Sequence, residues 1–419
     1  MKPTLFFFFL LSCLTVSSQK QQPSNFLSDL LKQHPKEFKS VLDKKKTYEV
    51  QILYTQIDRD ENNAPHFTTY SFNVDTARYF YPASTVKFPV AVLALEKLNE
   101  INNPRVTKHT PIYHDSVYSG QSRVKSDTTS EGGAPSIAHY IKKIFVASDN
   151  DAFNRLYEFI GQKEINEKLR EKGYHTRIVH RLNRWGTPDE NRHTEAVRFM
   201  EKDSLVYAQP MLVNDNIIKG PEILAGKGYY NGTRLIRKPF NFSDRNYFSI
   251  PDQHAMLKAF LFPETVTPEK RFHLTPDDRK IVLQYMSQLP TETLFPPYYK
   301  DTTYVDAYGK LFLYGCESTP IPDHIRIFNK LGVAYGYALD NAYIVDFNAG
   351  VEFLLTAVIF TNQNQIFNDD TYEYWTIGFP FMKNLGQVIY EFEKSRTKKY
   401  LPDLSGFQFQ YELNRTEYK

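Results

Sequence analysis

Ser84-Thr85-Val86-Lys87 places a serine and a lysine three residues apart. On a helix that spacing puts both on one face. A serine hydroxyl is a weak nucleophile until a neighbouring base takes its proton. A lysine stripped of water beside it loses its own proton and serves as that base. A helix N-terminus also favours an oxyanion that develops there. Taken alone the pattern is common on any amphipathic helix. Ser122-Arg123-Val124-Lys125 repeats it in a polar stretch near Gly120, with no apolar helix to bury the lysine, and reads as coincidence.

Two further groups carry chemistry. Ser148-Asp149-Asn150 lies between two apolar helical runs. There Ser148 can relay a proton to a leaving group and Asn150 can hold a substrate amide. A plain helix junction fits the same residues, because Ser, Asp and Asn favour caps. Asn329-Lys330-Leu331-Gly332 stands at the start of a predicted strand. Lys330 can bind a carboxylate there, and Gly332 lets a ligand come close to the backbone; an ordinary strand entrance fits as well. Cys316 is the one cysteine left after removal of a leader that contains Cys13, and reads as a small buried hydrophobe. His175, His180 and His193 lack metal-ligand spacing and read as surface or loop residues, so no metal is expected. The sequence has no G-x-S-x-G, G-x-x-x-x-G-K-[ST] or H-E-x-x-H.

The elements that must position these groups follow from periodicity. Residues 24–44 read as a helix, 48–57 and 67–74 as strands, and 84–98 as a helix with Pro89 in its second turn. Helical patterns return at 137–161, 164–172, 251–262 and 276–289. Residues 203–248 are rich in glycine and aromatics and read as an inserted hairpin or flap. Residues 333–346 and 351–361 read as strands across a turn at Asn348-Ala349-Gly350, and 371–394 as a closing helix. This order predicts one α/β (α+β) unit whose two ends share a sheet. We expect an α/β subdomain of residues 24–80 and 300–395, a helical subdomain of 81–299, and a tail of 396–419.

The chain has 419 residues and a net charge of +3, which excludes a global basic footprint for nucleic acid. Two cysteines exclude a disulfide scaffold and a four-cysteine zinc site. Residues 1–18 read as a signal peptide: Lys2, an apolar run at 5–11, then Val16-Ser17-Ser18. No segment is long enough to span a bilayer, so an exported, periplasmic or secreted protein is expected. Leu10-Leu11-Ser12-Cys13 resembles a lipoprotein processing site, but the apolar Leu14 and Val16 favour loss of Cys13 with the leader over a lipid anchor.

In this order, S-x-x-K on a helix, S-D-N, and K-x-G on a late strand resemble the class A β-lactamase-like serine hydrolases of the β-lactamase and penicillin-binding protein superfamily. The resemblance extends through residues 82–90 and 148–161. Arg181-Leu182-Asn183-Arg184-Trp185 is similar to the start of the family's omega loop. It covers roughly residues 24–395 outside the insertion. It implies a β-lactamase/transpeptidase-like antiparallel sheet flanked by N- and C-terminal helices, with a helical subdomain. It implies Ser84 as the acylated nucleophile, Lys87 as its base or relay, and Ser148 as proton donor to the leaving nitrogen. Asn150 and Lys330, with Gly332, would contact the substrate. The oxyanion hole would combine the Ser84 N–H with one on the late strand, assigned to Ala334. The implied ligand is a β-lactam or a peptidoglycan-like amide or peptide, bound by a monomer without a cofactor.

Two departures bear on turnover and specificity. Gly186 stands where the family has the glutamate that activates the deacylating water, leaving Asp189 and Glu190 as candidate bases. Leu331 replaces a hydroxyl residue. The expected activity is therefore acyl transfer with deacylation impaired. A penicillin-binding-protein-like peptidase or esterase, or a degenerate cell-wall-peptide binder, is the alternative. Tyr229, Tyr230 and Tyr247 in the insertion either line an altered cleft or pack on the surface.

Overall fold

The computed structural model describes residues 25–415 apart from Ser119 and Trp185; the expected signal peptide and Cys13 lie outside them. The expected first helix is three: α1 (Phe26–Lys32), α2 (Pro35–Leu42) and α3 (Lys45–Tyr48). Pro35 opens α2 and holds His34 at φ −116°, outside the helical region. Strands β1 (Gln51–Arg59) and β2 (Pro65–Phe72) follow, then α4 (Lys87–Ile101) and the short β3 (Ile112–His114). The helical block is α5 (Ile137–Ala147), α6 (Asn150–Ile160), α7 (Gln162–Glu171) and the short α8 (Pro188–Arg192).

The expected insertion divides in two. Its first part belongs to a hairpin of β4 (Val197–Glu201) and β5 (Ser204–Gln209) that pairs with β3. The second part is β6 (Leu224–Ala225), β7 (Gly228–Asn231), β8 (Arg234–Ile236) and β9 (Phe240–Asn241). Helices α9 (Ile250–Leu261) and α10 (Pro276–Ser287) open with proline in the first turn, as expected.

The C-terminal part holds β10 (Ile325–Asn329), β11 (Gly332–Ala334), β12 (Tyr337–Asp346), β13 (Val351–Phe360), β14 (Ile366–Phe367) and α11 (Phe379–Ser395). The one strand expected at 333–346 is therefore the two arms of a hairpin. Tyr335 (φ 56°) and Gly336 (φ 86°) both take the left-handed conformation that a two-residue turn between twisted strands requires. β14 pairs in parallel with β7, so the flap is tied to the segment that follows β13.

The main sheet is antiparallel, in the order β10-β12-β13-β1-β2, with β11 beside β12. Gln51 faces Val358, so strands from the two ends of the chain pair as predicted. Side chains alternate between the two faces. Ile52, Tyr54, Phe353 and Leu355 pack with α1, α2 and α11. Ile57, Phe328, Tyr343 and Leu354 pack with the helical block. The tail folds back: Phe407 joins that second core, and Arg415 pairs with Asp306 at 2.9 Å.

Candidate active site

Ser84 lies in a 3-10 turn, Ala83–Val86, that leads into α4. Ala83 has φ 48°, and the Thr85 hydroxyl donates to the Pro82 carbonyl at 2.7 Å. The turn rests on β11. A Cβ at Gly332 would sit 2.7 Å from the Pro82 carbonyl oxygen and 3.0 Å from the Ser84 nitrogen. The glycine thus makes room for the turn that carries Ser84, rather than for a ligand as expected. Gly332→Ala should displace that turn, at a cost of about 1–3 kcal/mol for overpacking. We expect a lowered melting temperature and at least a roughly tenfold slower reaction at Ser84, read by thermal melting and covalent labelling of the same sample.

Lys87 opens α4 one turn later and is fully buried. Its Nζ donates to the Ser148 carbonyl and to Asn150 Oδ1 (2.8 Å), with Ser148 Oγ at 3.2 Å. Burial first, then the nearby Lys330 cation, hold its pKa well below the ordinary ammonium range. A neutral amine has two hydrogens, which the two carbonyl acceptors satisfy, and a lone pair left to receive a proton.

Both readings of Ser148-Asp149-Asn150 hold at once. Ser148, at φ 54°, ends α5, and Asp149 caps α6 by accepting the Ala152 N–H at 2.8 Å. That junction turns Ser148 and Asn150 toward Lys87. Lys330 reaches the same hydroxyl from the sheet, its Nζ 2.8 Å from Ser148 Oγ. Burial brings the Lys330 pKa down to about 7. Ser148 Oγ therefore bridges two buried amines.

The strand register decides which backbone N–H faces Ser84. Asn329 faces Ala342 and Gly332 faces Leu339, so one register runs past Lys330 without a shift. The Lys330 N–H donates to the Asn341 carbonyl at 3.1 Å. Backbone groups alternate in direction along a strand, so Gly332 and Ala334 also turn their N–H groups to β12. Ala334 is bound to Tyr337 across the turn. The N–H that points to the free edge, toward Ser84, belongs to Val333 and corrects the expected Ala334. Leu331, on the face opposite Lys330, packs on the core beside Gly309 instead of entering the cleft.

A cleft of 620 Å³ opens over Ser84 and Asn150. Arg181 fixes the loop on one side of it. Arg181 is buried against Glu158 (3.0 Å) and donates to the carbonyls of Glu190 (3.0 Å) and His193 (2.7 Å). Asn191 ties the loop further by donating to the Gly186 carbonyl at 3.0 Å. Trp185 lies outside the described residues. Neither expected acid reaches the cleft. Glu190 closes a capping box at the start of α8, accepting the Thr187 N–H at 2.6 Å. Asp189 is held by Arg192 at 2.7 Å and by the Tyr118 hydroxyl at 2.5 Å. These hydrogen bonds lower both carboxyl pKa values. Among the described residues, the one carboxylate lining the cleft is Asp370, on the loop after β14.

Other parts of the cleft wall escaped sequence reasoning. His180 lies in a loop, as read, but is buried there; it stacks on Tyr81 with centroids 6.0 Å apart and donates from Nδ1 to the Arg181 carbonyl at 2.6 Å. Burial and Arg245 bring its pKa down to about 3, so it is neutral. The aromatic wall comes from Tyr81, Tyr335, Tyr372, Tyr374 and Trp375. Tyr229 and Tyr230 line a separate groove with Asn368, and Tyr247 stacks on Tyr79. Cys316 is half-buried rather than buried, packs against the core, and has its thiol pushed up to about 12 by burial. Ser122 of the second S-x-x-K holds Arg155, at 2.7 Å from its hydroxyl.

An antiparallel sheet with terminal helices on one face and a helical lobe on the other, with a serine and a buried lysine at their junction, is the β-lactamase/transpeptidase fold. The chain belongs to the β-lactamase enzyme family, whose family model matches residues 34–391. Solved structures similar to it include a β-lactamase from Xanthomonas campestris pv. campestris, at 14% identity and a TM-score of 0.46, covering 86% of this chain and 98% of that one. A reconstructed class A β-lactamase of the last common ancestor of Gram-negative bacteria has 14% identity and a TM-score of 0.45, covering 86% and 97%. A PBP-A L158E mutant, solved as an acyl-enzyme complex with penicillin G, has 14% identity and a TM-score of 0.48, covering 90% and 100%. No curated protein matches the sequence. Among the described residues, no helix is long and apolar enough to cross a membrane.

Proposed function

We propose that this chain is an exported serine hydrolase that forms an acyl-enzyme at Ser84 and releases it slowly. The observation that carries this reading is the buried Lys87 amine, whose two acceptors come from the Ser148-Asp149-Asn150 junction, of which Asn150 lines the cleft with Ser84. Neutral Lys87 takes the Ser84 proton as Oγ attacks a carbonyl carbon. The N–H groups of Ser84 and Val333 hold the oxyanion. When the tetrahedral species collapses, the carbon–nitrogen bond breaks. Ser148 Oγ then passes its proton to the leaving nitrogen and is refilled from the Lys87 ammonium. Lys330 holds a substrate carboxylate, and Asn150 contacts the acyl amide.

The substrate class we infer is a β-lactam or a peptidoglycan-like amide. Deacylation needs a base for water, and the loop that contains Gly186 brings no described carboxylate to the cleft. Export rests on residues 1–18. The test is labelling with a fluorescent penicillin. The parent protein should take up one label per chain and Ser84→Ala none; equal labelling of a folded Ser84→Ala would remove Ser84 from the role.

A further inference from the structure

Behind the edge of the main sheet lies a buried set of charges that the acyl-transfer scheme does not use. Lys310, on the segment between α10 and β10, is buried and makes three hydrogen bonds through Nζ. They go to the carbonyls of Met286 (2.8 Å) and Ile327 (2.8 Å) and to Asn329 Oδ1 (2.7 Å). β10 is an edge strand. The Ile327 carbonyl turns away from β12, where an edge leaves it without a strand partner; Lys310 supplies one. The same ammonium ties the edge strand to the last turn of α10.

Asp340, on β12, is fully buried. It accepts the Asn329 Nδ2 hydrogen at 2.8 Å, the Asn341 N–H at 2.9 Å and the Leu311 N–H at 3.2 Å. Asn329 thus links Lys310 to Asp340 and immediately precedes Lys330. The register puts Asn329 and Asp340 on one face of the sheet and Lys330 on the other. Lys330 is faced from α4 by Lys87, from the α5–α6 junction by Ser148, from the segment before β10 by Lys310 and Cys316, and from β12 by Asp340. Asp340 favours the Lys330 ammonium, Lys310 opposes it, and Cys316 adds a smaller effect of the same sign as Asp340. A buried ammonium without a counter-charge gives up its proton.

We propose that Lys310 and Asp340 form a positioning pair that fixes the place and charge of Lys330 from the far face of the sheet, and so decides whether the cleft holds a carboxylate-bearing acyl donor. This rests on the acyl-transfer reading above. Asp340 keeps Lys330 ionised; Lys310 shares that anion and holds the effect in check.

The test is the second-order labelling rate with a fluorescent penicillin between about pH 5 and pH 9, with a melting curve for each variant. Carboxylate binding needs the Lys330 ammonium, so the rate falls about tenfold per pH unit above the Lys330 pKa, while the acid limb belongs to protonation of the Lys87 base. Asp340→Asn should move this alkaline limb down by about one unit, and Lys310→Met should move it up. A structural role alone lowers the melting temperature without moving the limb. Folded variants whose limbs coincide with the parent's, or move the same way, overturn the proposal; if one variant does not fold, the sign of the other decides. A ¹³C-lysine NMR titration of the parent tests the pair without substitution or acylation. Lys330 titrating near neutrality in step with Lys310 supports it, and Lys330 titrating above about pH 9, as an ordinary lysine does, overturns it. If no acylation occurs at any pH, the acyl-transfer reading fails, and this titration still decides the pair.

Discussion

Lys87→Met is expected to slow acylation of Ser84 by roughly 10²–10⁴-fold, the usual contribution of a positioned general base. Methionine keeps an unbranched side chain of similar length at this buried position of α4, so the variant should fold. It leaves the Ser148 carbonyl and Asn150 Oδ1 without their donor, a cost of about 1–3 kcal/mol per buried acceptor. The melting temperature should fall while the labelling rate collapses. The two readouts separate the role of base from that of structural strut. A variant that labels at nearly the parent's rate would pass the role to Lys330, acting through Ser148.

The second large effect concerns the acyl-enzyme itself. A penicillin adduct should form at least about 10²-fold faster than it is lost if, as proposed, the described acids of the Gly186 loop do not activate the second attack. The structural reason is the use already made of the loop's acids. Glu190 caps α8, and Asp189 is bound by Arg192 and Tyr118. Asp370 lines the cleft from the other wall, and Asp370→Asn should leave the adduct's lifetime unchanged. Rapid loss of the adduct in the parent, slowed by Asp370→Asn, would make Asp370 the missing base and end the account of impaired turnover.

Much of this site was legible in the sequence because its pieces are local. Ser84 and Lys87 lie one turn apart, Ser148 and Asn150 flank one cap, and Lys330 precedes its glycine. Their association across the fold depended on the order of motifs rather than on any one of them. What escaped was register and tertiary use. Residues 333–346 alternate without a strong turn signal, so the Tyr335-Gly336 hairpin stayed hidden and the edge-facing N–H was assigned to Ala334 instead of Val333. β10 was missed because Arg326 and Asn329 interrupt its apolar run, although both are buried by partners distant in sequence, Glu292 and Asp340. Gly332 was correctly singled out for the wrong neighbour. Asp189 and Glu190 looked available for catalysis because a capping box cannot be told from a free carboxylate until the helix it caps is known.

The proposed function stands on acylation of Ser84 with Lys87 as its base. The most direct measurement is the intact mass of the mature protein after brief exposure to penicillin G, beside Ser84→Ala, followed by peptide mapping. The account predicts one added penicillin mass on the parent, located on the peptide that contains Ser84, persisting after the free drug is removed, and no addition to Ser84→Ala. Equal modification of both proteins, or an adduct mapped to any other residue, would contradict it.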